Sequence, residues 1–186
     1  MGPTRGKLFV LSSPSGGGKS TLVDELRKRN LDLCYLVSVT TRPPRKGEKE
    51  GEDYFFFNEK TFLKKINEGV FAEWAKVHNY YYGTLKSQLD QYLSESRKVL
   101  LDVDVQGGMC LKRSLPEAVL IFILPTSMTV LEKRLRKRGT ESEEAIVKRL
   151  KIAEKEMEVA DLYDFQVIND TLEDTIKEVQ TIIEKC

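Results

Sequence analysis

Residues 8–21 read LFVLSSPSGGGKST, and they constrain this chain more than any other stretch. The apolar run Leu8-Phe9-Val10-Leu11 predicts a short buried strand, the glycines a tight turn, and residues 21–29 a helix with Leu22, Val23 and Leu26 on its buried face. Strand, glycine-rich turn and helix in that order make a phosphate-binding loop, or P-loop. Its backbone N–H groups turn toward one point, and the helix aims its positive end at the same point. Lys19 is then placed to reach β- and γ-phosphates, and the Ser20 hydroxyl to ligate Mg²⁺. The pattern has glycine five residues before Gly18, where this chain has Ser13; the side chain is small, so the turn is expected to survive.

Length and composition exclude several classes. A chain of 186 residues suits one domain with small inserts. The formal net charge is +1, which argues against a general nucleic-acid binder. No apolar run is long enough to predict a membrane span, and residues 1–7 do not read as a secretory signal. Cys34, Cys110 and Cys186 are far apart and odd in number, so they read as reduced thiols of a cytoplasmic protein. His78 is the only histidine, which rules out a His-based triad or a multi-His metal site.

Further along, strands are expected at 33–39, 54–57, 71–77, 79–83, 98–104, 118–124 and 165–169. Helices are expected at 58–67 with Asn58 as N-cap, then at 84–94, 105–113, 127–138 closed by Gly139, and 172–184. Thr140 and Glu143 fit a capping box for one more helix, whose apolar positions Ile146, Leu150, Ala153, Met157 and Ala160 keep a 3.6-residue period. Residues 42–53, rich in proline, glycine and charge, are expected to be a loop. Trp74 is expected in the core, His78 on the surface, and Tyr80 without a catalytic role. Alternating strands and helices, with wholly apolar strands, predict an α/β fold whose parallel sheet is covered by helices on both faces. Ligands of such sheets lie at the carboxyl ends of the strands. The glycine-rich turn, Asp102, Asp104 and Asn169 fall there.

Ser13-Pro14-Ser15-Gly16-Gly17-Gly18-Lys19-Ser20-Thr21, Ser38-Val39-Thr40-Thr41-Arg42-Pro43-Pro44-Arg45, Gly51-Glu52-Asp53-Tyr54-Phe55, Glu73-Trp74-Ala75, Tyr81-Tyr82-Gly83-Thr84 and Leu101-Asp102-Val103-Asp104-Val105-Gln106-Gly107 occur in this order. As a set, over nearly the whole chain, they resemble the guanylate kinases. The resemblance implies a P-loop kinase fold with a core at 1–37 and 84–186, a small, mostly β GMP-binding insert at 38–83, and a helical lid at about 126–150. It implies the reaction ATP + GMP giving ADP + GDP, with Mg²⁺.

Residue by residue, the resemblance assigns Ser13 through Thr21 and Asn169 to ATP, with Asn169 near adenine. Arg42, Arg45, Tyr54 and Tyr82 go to the GMP phosphate, Glu73 and Asp104 to the guanine N1–H and N2 amino donors, and Ser38 and Thr84 to guanine O6. Lys19, Arg134, Arg138 and Arg149 serve the transferred phosphoryl group, and Ser20 and Asp102 the metal, Asp102 through water. The chemistry is consistent with a single histidine. The acceptor is a phosphate with a second pKa of about 6, so it is already anionic at neutral pH and needs no general base. The difficulty is the approach of two anions, which bidentate arginines relieve. Two competing readings are a catalytically inactive guanylate-kinase-like protein-binding module, and a related P-loop kinase acting on ribose bisphosphate. Retained Lys19, Ser20, Asp102 and lid arginines argue against the first, and the acid pair Glu73 and Asp104 against the second.

Overall fold

A computed structural model describes residues 6–29, 32–77, 79–95, 97–137 and 142–186. The chain divides into two compact units, Met1–Leu8 with Asp32–Ala118, and Phe9–Leu31 with Val119–Cys186. It is an α/β fold with a five-stranded parallel sheet and a smaller four-stranded sheet.

In the unit that carries the glycine-rich turn, β1 (Lys7–Ser12) runs parallel to β8 (Val119–Pro125), with Phe9 opposite Val119 and Ser12 opposite Phe122. In turn β8 runs parallel to β9 (Phe165–Asn169). All but one residue of β8 is buried, as expected of a strand covered on both faces. α1 (Lys19–Lys28) buries Leu22, Val23 and Leu26 as its pattern predicts. α7 (Leu172–Lys185), capped by the Thr171 hydroxyl at Asp174 N, packs Ile176, Val179, Ile182 and Ile183 inward against α1 and β9. α5 (Met128–Lys137) and α6 (Glu143–Met157) share a small core of Leu131, Leu135, Ile146 and Ala153. The N-cap of α6 is Ser142, which accepts from Ala145 N, and not the expected Thr140; Arg138, Gly139 and Thr140 lie outside the described residues.

In the other unit, β2 (Leu33–Tyr35) runs parallel to β7 (Lys98–Asp102), against which α3 (Lys86–Ser94) packs. The second sheet has strand order β4-β3-β6-β5, with β3 (Val39–Thr40), β4 (Phe55–Phe56), β5 (Phe71–Val77) and β6 (Tyr80–Leu85). α2 (Glu59–Asn67) starts on the predicted cap, Asn58 Oδ1 accepting from Thr61 N at 2.8 Å. It stacks Phe62 on Phe71 and Tyr81, with ring centroids 4.4 and 5.4 Å apart. α4 (Val105–Ser114) packs on β5.

Four expectations are corrected here. Residues 33–39 form two strands, not one: Leu36 N still bonds Leu100 O, but Ser38 O already accepts from Phe55 N in the other sheet. An apolar run carries no sign of which sheet it serves. Strand 98–104 stops at Asp102, because Asp104 caps α4 by accepting from Gly107 N. Thr84 lies in β6 and not in a helix. Trp74 is 45% exposed, since Glu73 and Ala75 hold the inward face of β5 and the pleat turns Trp74 outward. His78 lies outside the described residues, and Tyr80 is exposed.

Candidate active site

The glycine-rich turn leaves β1 at the buried Ser12 and closes with Gly17 N donating to Pro14 O at 2.8 Å. Gly16 and Gly18 have φ of 91° and 94°, a backbone region that favours glycine. Gly18 is also the N-cap of α1, without a side-chain cap, and no acidic residue occupies the first turn. The positive helix end is thus left for an anion from outside. Ser13, the departure from the loop pattern, fits for a local reason. A Cβ at Gly17 would come within 3.0 Å of the Ser13 Cβ and 3.1 Å of its Oγ, so the glycine at 17 makes room for the serine at 13.

The same unit braces the turn from outside. Asn169, 5% exposed, donates through Nδ2 to Gly17 O at 2.7 Å and accepts at Oδ1 from Thr175 Oγ1 at 3.2 Å. Arg134 donates to Gly17 O and to Asn169 O, both at 3.3 Å. Glu156 accepts from Ser15 N at 3.2 Å. A recess of about 350 Å³ opens here, lined by Gly16, Gly18, Thr21, Arg134, Lys137, Asn169, Asp170 and Leu172. Ser20 and Thr21 are exposed at its helix end, Lys19 is half-buried, and Arg149 is half-buried on α6. Arg138 lies outside the described residues.

The other unit holds a second polar site. Arg42 is 8% exposed; its Nη1 donates to Pro43 O at 2.8 Å and its Nη2 to Glu48 Oε1 at 2.7 Å. Glu48 Oε2 accepts from Arg45 N, also at 2.7 Å, while the Arg45 side chain is exposed. The Arg42 guanidinium lies 5.4 Å from the Tyr54 ring centre, and Tyr54 meets Tyr82 edge-on at 6.1 Å. Burial, with the charge of Asp102 behind it, raises the Tyr54 pKa well above the usual phenol value, so its hydroxyl keeps a proton to donate.

Glu73, on the inward face of β5, is 4% exposed and accepts from Thr84 Oγ1 at 2.6 Å across the β5–β6 pair. Asp104 Oδ1 accepts from Gly107 N at 2.7 Å. Ser38 is buried, and its Oγ has no hydrogen-bond partner among the described residues, an unmet polar group that calls for one. Asp102, at the carboxyl end of β7, accepts from Tyr35 Oη at 2.5 Å.

A pH dependence follows from the clamp. Burial would raise the Glu48 pKa, but the Arg42 guanidinium and the Arg45 N–H outweigh it and hold the carboxyl below its ordinary value. A depressed carboxylate pKa adds stability above the unfolded value of about 4.3 and loses it as pH falls through the folded value. Thermal melts of the wild type should therefore fall in that acid window by more than those of Glu48→Gln. Parallel melting curves for the two would show that the clamp adds nothing to stability.

Glu48, Tyr35, Thr175 and Glu156 escaped the sequence reading. Each reaches its partner through folding, and no periodicity marks any of them. Glu48 alone left a trace, as an acid a few residues beyond Arg42 and Arg45 in a proline-stiffened loop.

A family model described as guanylate kinase matches residues 5–186. The chain belongs to the guanylate kinase family. A guanylate kinase of Caldanaerobacter subterraneus subsp. tengcongensis is 46% identical over 184 residues, covering 98% of this chain and 89% of that one. One of Fusobacterium nucleatum subsp. nucleatum is 48% identical over 179 residues, 96% of each. The crystal structure of guanylate kinase from Anaplasma phagocytophilum matches with a TM-score of 0.81 at 33% identity, over 98% of this chain and 86% of that chain. Shikimate kinase from Bacteroides thetaiotaomicron, 15% identical with a TM-score of 0.52, shares the fold.

Proposed function

We infer that this chain transfers the γ-phosphoryl group of ATP to GMP, and to dGMP, giving ADP and GDP. Membership of the family carries the activity, and Glu73 supports the acceptor most directly. A carboxylate at 4% exposure is costly unless it accepts hydrogen bonds. Guanine brings N1–H and an N2 amino group as donors; adenine has an acceptor at N1 and no N2 amino group. Asp104 shares this work, and the Ser38 hydroxyl faces guanine O6, as does that of Thr84 once its proton turns from Glu73 Oε1 to the base. Arg42, Arg45, Tyr54 and Tyr82 hold the GMP phosphate. Arg42 exchanges part of its bonding to Glu48 for a phosphate oxygen, at fixed charge.

On the donor side, residues 13–21 wrap the ATP phosphates and Lys19 neutralises the β- and γ-oxygens. Arg134, Arg149 and Arg138 balance the charge that spreads over the transferred group, as an arginine finger supplied in cis does. Asn169 lies by the adenine while it braces Gly17. The acceptor oxygen is already anionic, so no base is required, and closure that excludes water prevents waste of ATP.

Among the described residues no group of three or more His, Cys, Asp or Glu can hold a metal. A donor set of one hydroxyl and one carboxylate fits Mg²⁺ arriving on ATP, which keeps waters and phosphate oxygens and needs few protein ligands. Ser20, and Asp102 oriented by Tyr35 and acting through water, would hold it. When bound it neutralises β- and γ-phosphate charge. Residues 38–83 serve as the GMP-binding insert and about 126–150 as the lid, on a core of 1–37 and 84–186. No described helix is long and apolar enough to cross a membrane. The cysteine pattern and the near-neutral net charge support a cytoplasmic enzyme that does not bind nucleic acid.

The test is a coupled ADP-release assay with magnesium ATP and GMP, dGMP, AMP, UMP or ribose bisphosphate, one acceptor at a time. Release with the two guanine nucleotides alone is expected. Equal rates with AMP, or none with GMP, overturn the reading.

A further inference from the structure

We propose that Gly107 is a specificity-determining position for the phosphoryl acceptor: the absence of a side chain there gives the Glu73 carboxylate its place beside Asp104. The proposal rests on Glu73 and Asp104 reading guanine. Gly107 is the third residue of α4, and its N–H donates to Asp104 Oδ1 at 2.7 Å. A Cβ on this residue would lie 2.7 Å from Glu73 Oε2, 3.1 Å from Val103 Cβ and 3.2 Å from Asp104 Oδ1. Ordinary contact begins at 3.4 Å, so something must give way. Val103 is buried, and Asp104 is tied to the amide of residue 107 itself. The Glu73 head group is what remains to move, at the far end of its side chain.

It cannot retreat without consequence, because Oε1 is held by Thr84 Oγ1 at 2.6 Å. One backbone position therefore sets both acids. Its amide orients Asp104, and its missing methyl group admits Glu73. No acidic residue in the first turn of α4 competes with them for the positive helix end, which offsets the repulsion between two carboxylates. Gly107 itself is a positioning residue and touches no nucleotide.

Gly107→Ala separates this role from a structural one, because the two point in opposite directions. Alanine is the better helix former, so helix energetics alone predict equal or higher stability and unchanged selectivity. A carboxylate displaced by most of an ångström predicts about a 10²-fold loss of kcat/KM for GMP, with KM for ATP unchanged and the GMP-over-AMP ratio falling in step. Glu73→Asp shortens the acid and relieves the crowding, so Gly107→Ala should cost less on that background than on the wild type. A folded Gly107→Ala enzyme with wild-type selectivity overturns the proposal, and so does an equal cost on both backgrounds. If Gly107→Ala does not fold, recovery of folding in the Glu73→Asp double variant supports the crowding, and failure of the double variant overturns it. Glu73→Ala run in parallel separates the two levels. If it keeps the GMP preference, the guanine reading falls and this proposal with it. If Glu73→Ala loses the preference and Gly107→Ala retains it, only the role of Gly107 is lost.

Discussion

Lys19→Ala is expected to lower turnover by about 10³-fold or more, while the protein stays folded. Both halves of that expectation have a local cause. Lys19 is the first residue of α1, where the helix end is already positive and a cation is unfavourable. No acid in the first turn offsets it. Alanine is a better residue there for the helix, and a half-exposed side chain leaves no cavity when shortened. Melting should therefore stay within about 0.5 kcal/mol of wild type, or rise. A cation at the positive end of a helix runs against a helix rule, and such departures are expected at functional sites. In the proposed reaction Lys19 supplies charge at the transferred phosphoryl group, beyond what the backbone amides of residues 13–21 offer. Lys19→Met keeps the stem and removes the charge, so it should fail equally. A wild-type rate in either variant, measured by ADP release with thermal melts alongside, would refute the phosphate role.

Glu73→Gln should collapse the preference for GMP over AMP, with kcat/KM for GMP falling about 10²-fold or more. The exchange is nearly isosteric and keeps an acceptor for Thr84 Oγ1, now 2.6 Å from Glu73 Oε1. What changes is the other side of the group, where an NH₂ donor would meet guanine donors. Each buried donor left unpaired costs about 1–3 kcal/mol, and guanine presents two kinds. The AMP rate should hold or rise, and KM for ATP should not move. Stability should hold too, because removing a buried charge relieves desolvation. Unchanged GMP-over-AMP selectivity in folded Glu73→Gln would take Glu73 out of the base pocket.

The elements legible in the sequence were those whose causes are local. Asn58 announced α2 because a cap acts within three residues, and it accepts from Thr61 N as expected. β8 was legible as an apolar run bounded by polar residues. Residues 8–21 were legible because a turn with φ near 90° at Gly16 and Gly18 demands glycine. The errors share a cause as well. Residues 33–39, Thr84 and Trp74 were misread because strand membership and facing depend on the partner strand. A shift of one residue reverses every side chain.

Neighbours along the chain suffice to specify the phosphate-binding turn, the alternation of strands and helices, and the residue types present for the chemistry. Packing is needed to bring Thr84 to Glu73 across two strands, to let Glu48 tie Arg42 to Arg45, and to set Asn169 and Thr175 as braces on Gly17. Such contacts join residues that local propensity cannot relate. Their geometry is set by packing and by the need to satisfy every buried polar group at once.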